Sequence, residues 1–484
     1  MESPARNWID GKFTGAVSLR ESINPATGKV IGSYVDSGLE AAKLGVEAAL
    51  RAFRESPWRH DIELRARVLT QIAEAFERNE GELVELLATE NGKVKPEAAF
   101  ELSLVAPKLR YYAAKVLVDG GRVVIPKPGA MSIVLREPVG VAGIIAPWNS
   151  PVILAIRSLA PALAAGCTAV VKLPGQVAQV AHLMAKVMAE APDLPRGVIN
   201  LFFESGAEGS AFLVDSPDVP VISFTGSTRT GRAIAAAGAK HLKRIGLELG
   251  GKTPMIVFDD ADLDTVLPIL EKAVTTFSGQ FCMTGSRLLV QRGIAGRIQE
   301  ELARRLKAVR LGPASDPASD MGPLIDRANV ERVDKVVEAA IAEGASVIVR
   351  GGPATEGRLG EGAFFAPAFL EVPSADLAIV QEETFGPVLT LQPFDDEAEA
   401  IRLANATEYG LAASVWTRDL DRSFRMAQAL EFGSVWINNW AKVFDGAEEG
   451  GYKQSGLGRL NGFAAMDDFV EHKHIALSPG LPAA

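Results

Sequence analysis

Short apolar runs alternate with amphipathic helical stretches through the middle of the chain, and this alternation limits the fold more than any other feature. The runs are VAGIIAP, TAVVKLP, GVINLFF and VISFTG, and helical stretches follow the first, the second and the last. Continuous apolar strands between helices are typical of a parallel sheet whose two faces are both covered. The sequence therefore predicts a doubly wound α/β domain in this region.

A second set of apolar runs begins near Pro254. Its members are MIVFDDA, RLLVQ, ASVIVRG, AFLEV, PVLTLQPF and GSVWIN. A chain of 484 residues is also too long for one ordinary hydrophobic core. We therefore expect two α/β domains with a boundary near residue 250, where LELGGKTP supplies a Gly-Gly turn.

Helical patterns precede this region, and two segments fall outside both alternating sets. Ser37 and Glu40 have capping-box spacing at the start of one helix, and a second helical run extends from about Ile62 to Leu87. Residues 122–136 hold two β-branched runs around prolines and a glycine, which predicts a β-hairpin. The hairpin and the C-terminal tail belong to neither alternating set, and such extensions often reach a neighbouring subunit.

Charge and composition exclude several classes of partner. The formal net charge of −10 argues against nucleic acid or an anionic membrane. The chain has no uninterrupted apolar window of about 18 residues, and MESPARNWIDGKF lacks the apolar centre of a signal peptide. Two cysteines in so long a chain favour a reducing compartment, so we expect a cytoplasmic protein. His472 and His474 alone are too few ligands for a metal site, and we expect no metal.

The two cysteines stand in different settings. Cys167 lies in the apolar turn AAGCTAV with no motif around it, and we interpret it as a core residue. Cys282 lies in TFSGQFCMTGSR, between two glycine-containing turns. Because free cysteine is among the most buried residue types, a core role is one interpretation of Cys282. The other is a catalytic nucleophile.

A candidate dinucleotide site lies in VISFTGSTRTG, where an apolar strand ends at a turn and a helix begins. Gly226, Ser227 and Gly231 belong to this segment, and backbone N–H groups at a helix N-terminus suit a pyrophosphate. Lys172 ends another strand at the same edge of the sheet, where nucleotides bind in doubly wound folds. Since GxGxxG is absent, an ordinary turn and a solvated lysine remain alternatives for these two features.

Five motifs occur in a fixed order: PWNSP, FTGSTRTG, LELGGKTP, GQFCMTGSR and EETFGPV. In these motifs and over nearly its whole length, the chain resembles the NAD(P)-dependent aldehyde dehydrogenase superfamily of the hydrolytic type. The resemblance implies that Cys282 is the nucleophile, Glu248 the general base and Asn149 the oxyanion donor. It also implies homodimers or homotetramers.

Elementary chemistry agrees with these three roles. A thiolate adds readily to an aldehyde carbonyl, and the Asn149 amide with the Cys282 backbone N–H suits the oxyanion that forms. The adduct would pass a hydride to the nicotinamide and become a thioester, for which Glu248 in an apolar setting would activate water. Two structural alternatives stand beside them: Asn149 capping the next helix, and Glu248 binding backbone amides.

The resemblance also assigns the nicotinamide end of the cofactor site and the domains. Glu383 would hold the nicotinamide ribose, Phe385 would line the ring, and Ile145 and Trp148 would lie against the cofactor. The predicted dinucleotide-binding domain comprises residues 1–118 and 140–248. The predicted catalytic domain is 249–449, and the predicted oligomerisation arm comprises 119–139 and 466–484.

Three departures from the family pattern bear on specificity. Gly175 replaces the usual ribose-binding glutamate, which leaves NAD and NADP both open. Leu460 replaces an additional glutamate, so a proton relay through that position is lost. Arg157 stands about two helical turns after Asn149, on the same side of the helix, where related enzymes often carry an aromatic residue.

The remaining candidate substrate residues are also identified by position: Ser150, Phe281, Met283 and Trp440, with Lys442 and Glu449 adding polarity. Arg157 would recognise a carboxylate or a phenolic oxygen; a solvated or interface arginine is the alternative. We therefore expect oxidation of a polar or aromatic aldehyde. A CoA-acylating semialdehyde dehydrogenase and a non-catalytic scaffold with the same fold are the competing functions.

Overall fold

The computed structural model describes residues 4–15 and 18–480. Within these ranges the first large sheet has eight strands, in the spatial order Lys12–Thr14, Asn7–Ile9, Ile199–Glu204, Thr168–Pro174, Val141–Ile145, Val221–Thr225, Arg244–Glu248 and Gly456–Leu457. The central strands are parallel, and the outer pairings at both ends are antiparallel. The predicted α/β sheet is confirmed, but it is mixed rather than wholly parallel.

The second large sheet is formed by the second half of the chain. Its seven strands among the described residues are, in spatial order, Ser346–Val349, Ala368–Glu371, Val388–Phe394, Arg287–Gln291, Pro254–Val257, Ala412–Trp416 and Ser434–Ile437. All neighbours are parallel except the first pair. The sequence did not predict the buried strand Ala412–Trp416, whose small Ala-Ala-Ser start lacks a strong β signal.

A third sheet joins the hairpin to the tail. Arg122–Lys127 and Ala130–Pro138 form the predicted hairpin, and Val470–Leu477 adds to it antiparallel over its whole length. The described residues also form three two-stranded pairs: Leu19–Ile23 with Val30–Val35, Gly352–Pro353 with Phe365–Ala366, and Tyr409–Gly410 with Tyr452–Lys453.

Helices cover the faces of the two large sheets. The α-helices are Gly38–Glu55, Ile62–Arg78, Glu80–Asn91, Lys95–Ser103, Val105–Val116, Pro151–Ala165, Ala178–Met188, Glu208–Asp215, Thr228–Gly238, Leu263–Thr275, Arg292–Ala308, Arg327–Ala342, Ala378–Gln381, Glu397–Ala404 and Leu420–Ala429. Short 3₁₀ turns are Gly175–Val177, Ala239–His241, Thr276–Gly279, Gly357–Glu361 and Ala464–Phe469.

Two helix predictions need correction. The first helix begins after Ser37 as expected, but the capping box is wrong, because the Ser37 hydroxyl accepts a hydrogen bond from Asn7 Nδ2 at 2.9 Å instead. The predicted helical run from Ile62 to Leu87 is two helices, separated at Asn79.

Separate buried clusters pack against the two large sheets. Trp58, Tyr112 and Phe203 belong to the cluster around the first sheet, and Phe369 and Trp416 to one around the second. Each large sheet therefore has its own core, and the division into domains stays a prediction. In the described ranges, no helix is long and apolar enough to cross a membrane.

Candidate active site

The loop that carries Cys282 is held in a strained conformation. Phe277 and Ser278 both have left-handed backbones, with φ of +52° and +56°, which costs about 1–2 kcal/mol for each residue. The Phe277 N–H donates to the Glu97 carboxylate at 2.8 Å, and the Ser278 hydroxyl donates to the Gly322 carbonyl at 2.8 Å. These contacts hold the loop, so that half-buried Cys282 has a defined position.

Asn149 points at this loop and does not cap the helix that follows it. Its side-chain amide donates to the Gln280 carbonyl, two residues before Cys282, at 3.0 Å. Because an amide NH₂ carries two hydrogens, one remains for a substrate oxygen. The helix begins after Ser150, and the Glu101 carboxylate accepts from its Val152 N–H at 2.9 Å. The capping alternative for Asn149 is therefore wrong.

Glu101 belongs to a buried group that the sequence did not reveal. Lys93 forms an ion pair with Glu101 in which both side chains are almost fully buried. The Lys93 ammonium also donates to the Ser150 hydroxyl at 3.0 Å and lies 4.0 Å from the centre of the Phe277 ring. One lysine thus links the start of the helix after Asn149 to the nucleophile loop. No local motif marks Lys93 or Glu101, because their partners lie in other elements.

Glu248 ends a strand of the first sheet and is buried there. It pairs in register with Thr225 on the parallel side and Gly456 on the antiparallel side. Its Oε1 has no hydrogen-bond partner within the described part of the chain. Burial raises the pKa of Glu248 to about 8, Arg157 lowers it, and Glu449 raises it. A carboxyl group with this pKa exchanges protons in the range that a base near neutral pH needs.

The thiol of Cys282 faces the same charges. Burial raises the pKa of Cys282 to about 12; Arg157 opposes this increase, and the carboxylates of Glu449, Glu383 and Glu248 add to it. Cys282, Glu248 and Arg157 therefore share one electrostatic environment. Cys167, by contrast, is fully buried and its Sγ lies 3.4 Å from the Phe469 carbonyl, which confirms its place in the core.

Arg157 is a buried residue of this site. Its side chain forms an ion pair with Glu449, with 3.2 Å between Nη1 and Oε1, and donates to the Thr225 hydroxyl at 3.3 Å. Its side chain is only 6% exposed, so the alternative of a solvated arginine is wrong. Among the residues described, its Nε has no hydrogen-bond partner.

The other candidate substrate residues differ in their surroundings. Phe281 and Trp440 meet edge to face with ring centres 6.0 Å apart, and the Trp440 indole N–H donates to the Met283 carbonyl at 3.0 Å. The Met283 side chain is buried against Leu411. Ser150 is buried and already accepts from Lys93, as described above. Phe281 and Trp440 are thus the half-exposed members of this set.

The candidate cofactor residues Ile145 and Lys172 lie at one edge of the first sheet. Ile145 pairs in register with Lys172 on one side and Phe224 on the other. Burial lowers the pKa of Lys172, and Glu204 raises it. The structure thus brings these strand ends together at the carboxyl edge, where dinucleotides bind in doubly wound sheets.

The helix Thr228–Gly238 begins at the same edge. The Ser227 hydroxyl accepts from the Thr230 N–H at 3.3 Å, so Ser227 caps the helix. A Cβ on Gly231 would lie 2.5 Å from Leu249, so only glycine allows this close packing; the sequence places Gly226 in the preceding turn. Free N–H groups at a helix start suit a pyrophosphate, and this donor set fits a dinucleotide.

The other end of the candidate cofactor site adjoins the catalytic residues. Trp148 and Phe385 meet edge to face with ring centres 5.6 Å apart. The Glu383 carboxylate accepts from the Gly251 N–H at 3.1 Å, and a Cβ on Gly250 would lie 2.4 Å from it. Burial raises the pKa of Glu383 to about 7, although the bond from Gly251 lowers it. Glu383 therefore lies against the turn that follows Glu248.

The packing of Tyr34 explains why position 175 is a glycine. A Cβ at this position would lie 2.2 Å from the Tyr34 hydroxyl, so Tyr34 occupies the space that a side chain would need. A glutamate could not replace Gly175 unless Tyr34 moved. For metals, the described ranges contain no group of three His, Cys, Asp or Glu side chains that could hold an ion.

Comparisons with known proteins identify the family. The model of the aldehyde dehydrogenase family matches residues 13–475. The chain is 39% identical to the betaine aldehyde dehydrogenase of Bacillus subtilis (strain 168) over 472 residues, which cover 97% of this chain and 96% of that protein. It is 36% identical to the 2-hydroxymuconic semialdehyde dehydrogenase of Pseudomonas sp. (strain CF600), with 98% and 99% covered.

A solved structure agrees with these matches. The betaine aldehyde dehydrogenase of Staphylococcus aureus in complex with NAD⁺ superposes with a TM-score of 0.96 at 34% identity, covering 99% of this chain and 96% of that one. The chain therefore belongs to the aldehyde dehydrogenase family and is an NAD(P)-dependent aldehyde dehydrogenase.

Proposed function

We propose that this enzyme oxidises a polar or aromatic aldehyde to its carboxylic acid through a thiohemiacetal and a thioester of Cys282. The observation that carries the proposal is the hydrogen bond from the Asn149 amide to the loop of Cys282, with the buried Glu248 carboxyl group in the same electrostatic environment. These are a nucleophile, an oxyanion donor and a base, the groups that acyl chemistry at a carbonyl needs.

The chain's own residues perform the bond changes at the carbonyl. The Cys282 thiol loses its proton to solvent water, and its Sγ bonds to the aldehyde carbon as the carbonyl π electrons move to the oxygen. The free Asn149 amide hydrogen stabilises this new oxyanion, an effect typically worth about 3 kcal/mol. NAD(P) held by Lys172, Ser227 and Glu383 would accept the hydride that leaves this carbon. Glu248 then removes a proton from water, whose oxygen displaces Cys282 from the thioester and gives the acid.

The preference for a polar or aromatic aldehyde rests on the walls of the site. Arg157 and Glu449 form an ion pair with no net charge beside the nucleophile. The unpartnered Nε of Arg157 is a donor for a substrate oxygen. Phe281 and Trp440 add aromatic surface. Betaine aldehyde and 2-hydroxymuconic semialdehyde, the compounds in the names of two relatives, are both polar.

Reduced-nicotinamide formation across an aldehyde panel tests the proposal, with NAD and NADP supplied separately. The panel contains hexanal, benzaldehyde, 4-hydroxybenzaldehyde, betaine aldehyde and a carboxylate-bearing semialdehyde. We expect the highest kcat/KM for a polar or aromatic member. Arg157→Leu should then lower kcat/KM for the preferred polar member by about 10-fold, the value of one lost charge-assisted hydrogen bond.

Three results would contradict the proposal. An equal loss for hexanal in the Arg157→Leu enzyme would remove Arg157 from substrate recognition. Turnover that requires CoA would favour the acylating alternative and would contradict the role of the buried Glu248 as the base for water. No turnover by folded protein would favour a non-catalytic scaffold.

A further inference from the structure

Both carboxylate oxygens of Glu449 have partners in the candidate active site. On one side its Oε1 pairs with Arg157, and on the other its Oε2 accepts from the Asn461 amide at 2.7 Å. The Asn461 side-chain oxygen in turn accepts from Lys108 at 2.6 Å, and Lys108 also binds Asp445 at 2.6 Å. The Glu449 side chain is only 7% exposed, so these partners hold a buried carboxylate in one place.

The backbone around Glu449 contacts the catalytic base. Glu449 and Leu460 exchange two backbone hydrogen bonds, of 2.7 and 2.8 Å. The next residue, Gly450, has no side chain, and a Cβ there would lie 3.0 Å from Glu248 Oε1. Glu248 therefore lies directly against this segment. The chain thus places Glu449, and not position 460, beside the base as a second carboxylate.

One arginine faces both carboxylates. Arg157 donates to Thr225, the register partner of Glu248, and pairs with Glu449 through its other terminal nitrogen. The charged and titratable groups that act on Glu248 are Arg157, Glu449, Arg459 and Asp468. Those that act on Cys282 are Arg157, Glu449, Glu383 and Glu248. Arg157 lowers the pKa of both groups, and Glu449 raises both.

We propose that Glu449 is a positioning residue that engages Arg157 and so prevents a full ion pair between Arg157 and Glu248. Without Glu449, the positive charge of Arg157 would have Glu248 as its nearest carboxylate partner in this buried site. A carboxylate in such a pair is a weaker base, because the pair stabilises its charged form. Glu449 therefore keeps Glu248 able to take a proton from water near neutral pH.

The inference rests on the proposed hydrolytic reaction, but its first test requires no aldehyde. The rate of Cys282 alkylation by iodoacetamide is measured against pH in the enzyme without cofactor, for wild type and Glu449→Gln. We expect the midpoint of the Glu449→Gln profile to lie about one pH unit lower, since a carboxylate that disfavours the thiolate is gone. The pH midpoint of kcat should move in the same direction, because Glu248 now pairs with Arg157.

Control variants separate this effect from general damage. Glu448→Gln removes the exposed neighbouring carboxylate, which contacts the backbone of Phe463 and Ala464 instead of Arg157, and should leave the alkylation midpoint unchanged. Glu449→Asp keeps the negative charge but moves it one methylene farther from Arg157, so the alkylation midpoint should shift to lower pH by a smaller amount. If Glu449→Gln does not fold, the midpoint of Glu449→Asp is the test of the proposal.

The outcomes are distinguishable. A wild-type alkylation midpoint in the folded Gln variant, or in the Asp variant when only that one folds, would overturn the role of Glu449. A shifted midpoint in a protein that oxidises no aldehyde would keep the electrostatic role and reject the proposed function.

Discussion

Glu248 and Cys282 both lie in surroundings that disfavour their charged forms, and the physical cause is the same for the two residues. Burial is the largest cause of the raised pKa at both positions, and the charge of Arg157 opposes it most strongly at both. Buried groups with shifted pKa values are typical of catalytic sites. At the residue scale, we therefore expect the activity to depend on how Arg157 and its carboxylate neighbours shift the protonation of Glu248 and Cys282.

The rate of thioester hydrolysis should rise with pH through about 8. The folded-state pKa of Glu248 is raised to about 8, so the fraction of Glu248 present as the carboxylate that acts as the base increases with pH through this value. Pre-steady-state kinetics with the preferred aldehyde measure the step. Glu248→Gln should keep a burst of reduced nicotinamide and lose steady-state turnover, and a full steady-state rate in this variant would contradict the role of Glu248.

Removal of the oxyanion donor should affect kcat far more than cofactor binding. We expect Asn149→Ala to lower kcat by about 10²- to 10³-fold, the usual cost of one such donor. Cofactor affinity, measured by fluorescence quenching, should stay within a few-fold of wild type. Asn149→Asp, which replaces the donor with an acceptor in the same volume, should be at least as inactive. A small and equal effect of both substitutions would mean that Asn149 only supports the loop through Gln280.

At the element scale, the helix Pro151–Ala165 positions two of the candidate site residues. Asn149 immediately precedes it and Arg157 lies within it. Its first N–H groups need an acceptor from elsewhere, and the Ser150 side chain does not cap them. Glu101 supplies that acceptor and is itself paired with Lys93. A neighbouring helix thus supports the start of the helix that holds these candidate residues.

Glu101→Ala should destabilise the protein strongly. It removes the cap and leaves the Lys93 ammonium buried without its carboxylate, a change that costs about 3–5 kcal/mol. Denaturant unfolding measures the loss. Glu85→Ala breaks the exposed pair with Lys95 and should cost at most about 1 kcal/mol. Similar losses in the two variants would mean that the buried pair has no special role.

At the scale of the whole molecule, the hairpin and the tail extend the chain beyond its two large sheets. Val470–Leu477 pairs with Ala130–Pro138, although Ser132 and His474, whose side chains form a hydrogen bond between these strands, are 342 residues apart in the chain. The other hairpin strand, Arg122–Lys127, is exposed throughout. Exposed apolar side chains on a strand of this kind are typical of a subunit interface, and we propose that this sheet joins protomers, as the family resemblance implies.

A charge on this strand should change the oligomeric state. Ile125 is 69% exposed, and Ile125→Lys should yield a smaller species in sedimentation or light scattering without loss of helix content. Leu420 is also 69% exposed but lies on a helix elsewhere, so Leu420→Lys is the matched control. An unchanged mass for Ile125→Lys would place the interface on another surface.

The extent of prediction follows from the range of each interaction. The apolar runs indicated the four middle strands of the first sheet and, among the described residues, six of the seven strands of the second, because a strand buried on both faces is recognisable within a few residues. The two strands at each end of the first sheet were not predicted. Ala412–Trp416 was missed because its small residues carry a weak strand signal. The motifs identified Cys282, Glu248 and Asn149, and the structure brings Asn149 to the loop of Cys282; their catalytic roles stay predictions.

The sequence alone determined the fold class, the family and the candidate nucleophile, because local hydrophobic patterns and short motifs encode all three. Only the tertiary structure decided the partners of the buried charges. The sequence indicated Arg157 as a candidate for a substrate carboxylate or phenolic oxygen, and the fold adds an ion pair with Glu449. It indicated Asn149 as a candidate cap, and Glu101 takes that role. These residues are far apart in the chain, and a buried charge must be paired by whichever side chain the packed elements bring to it.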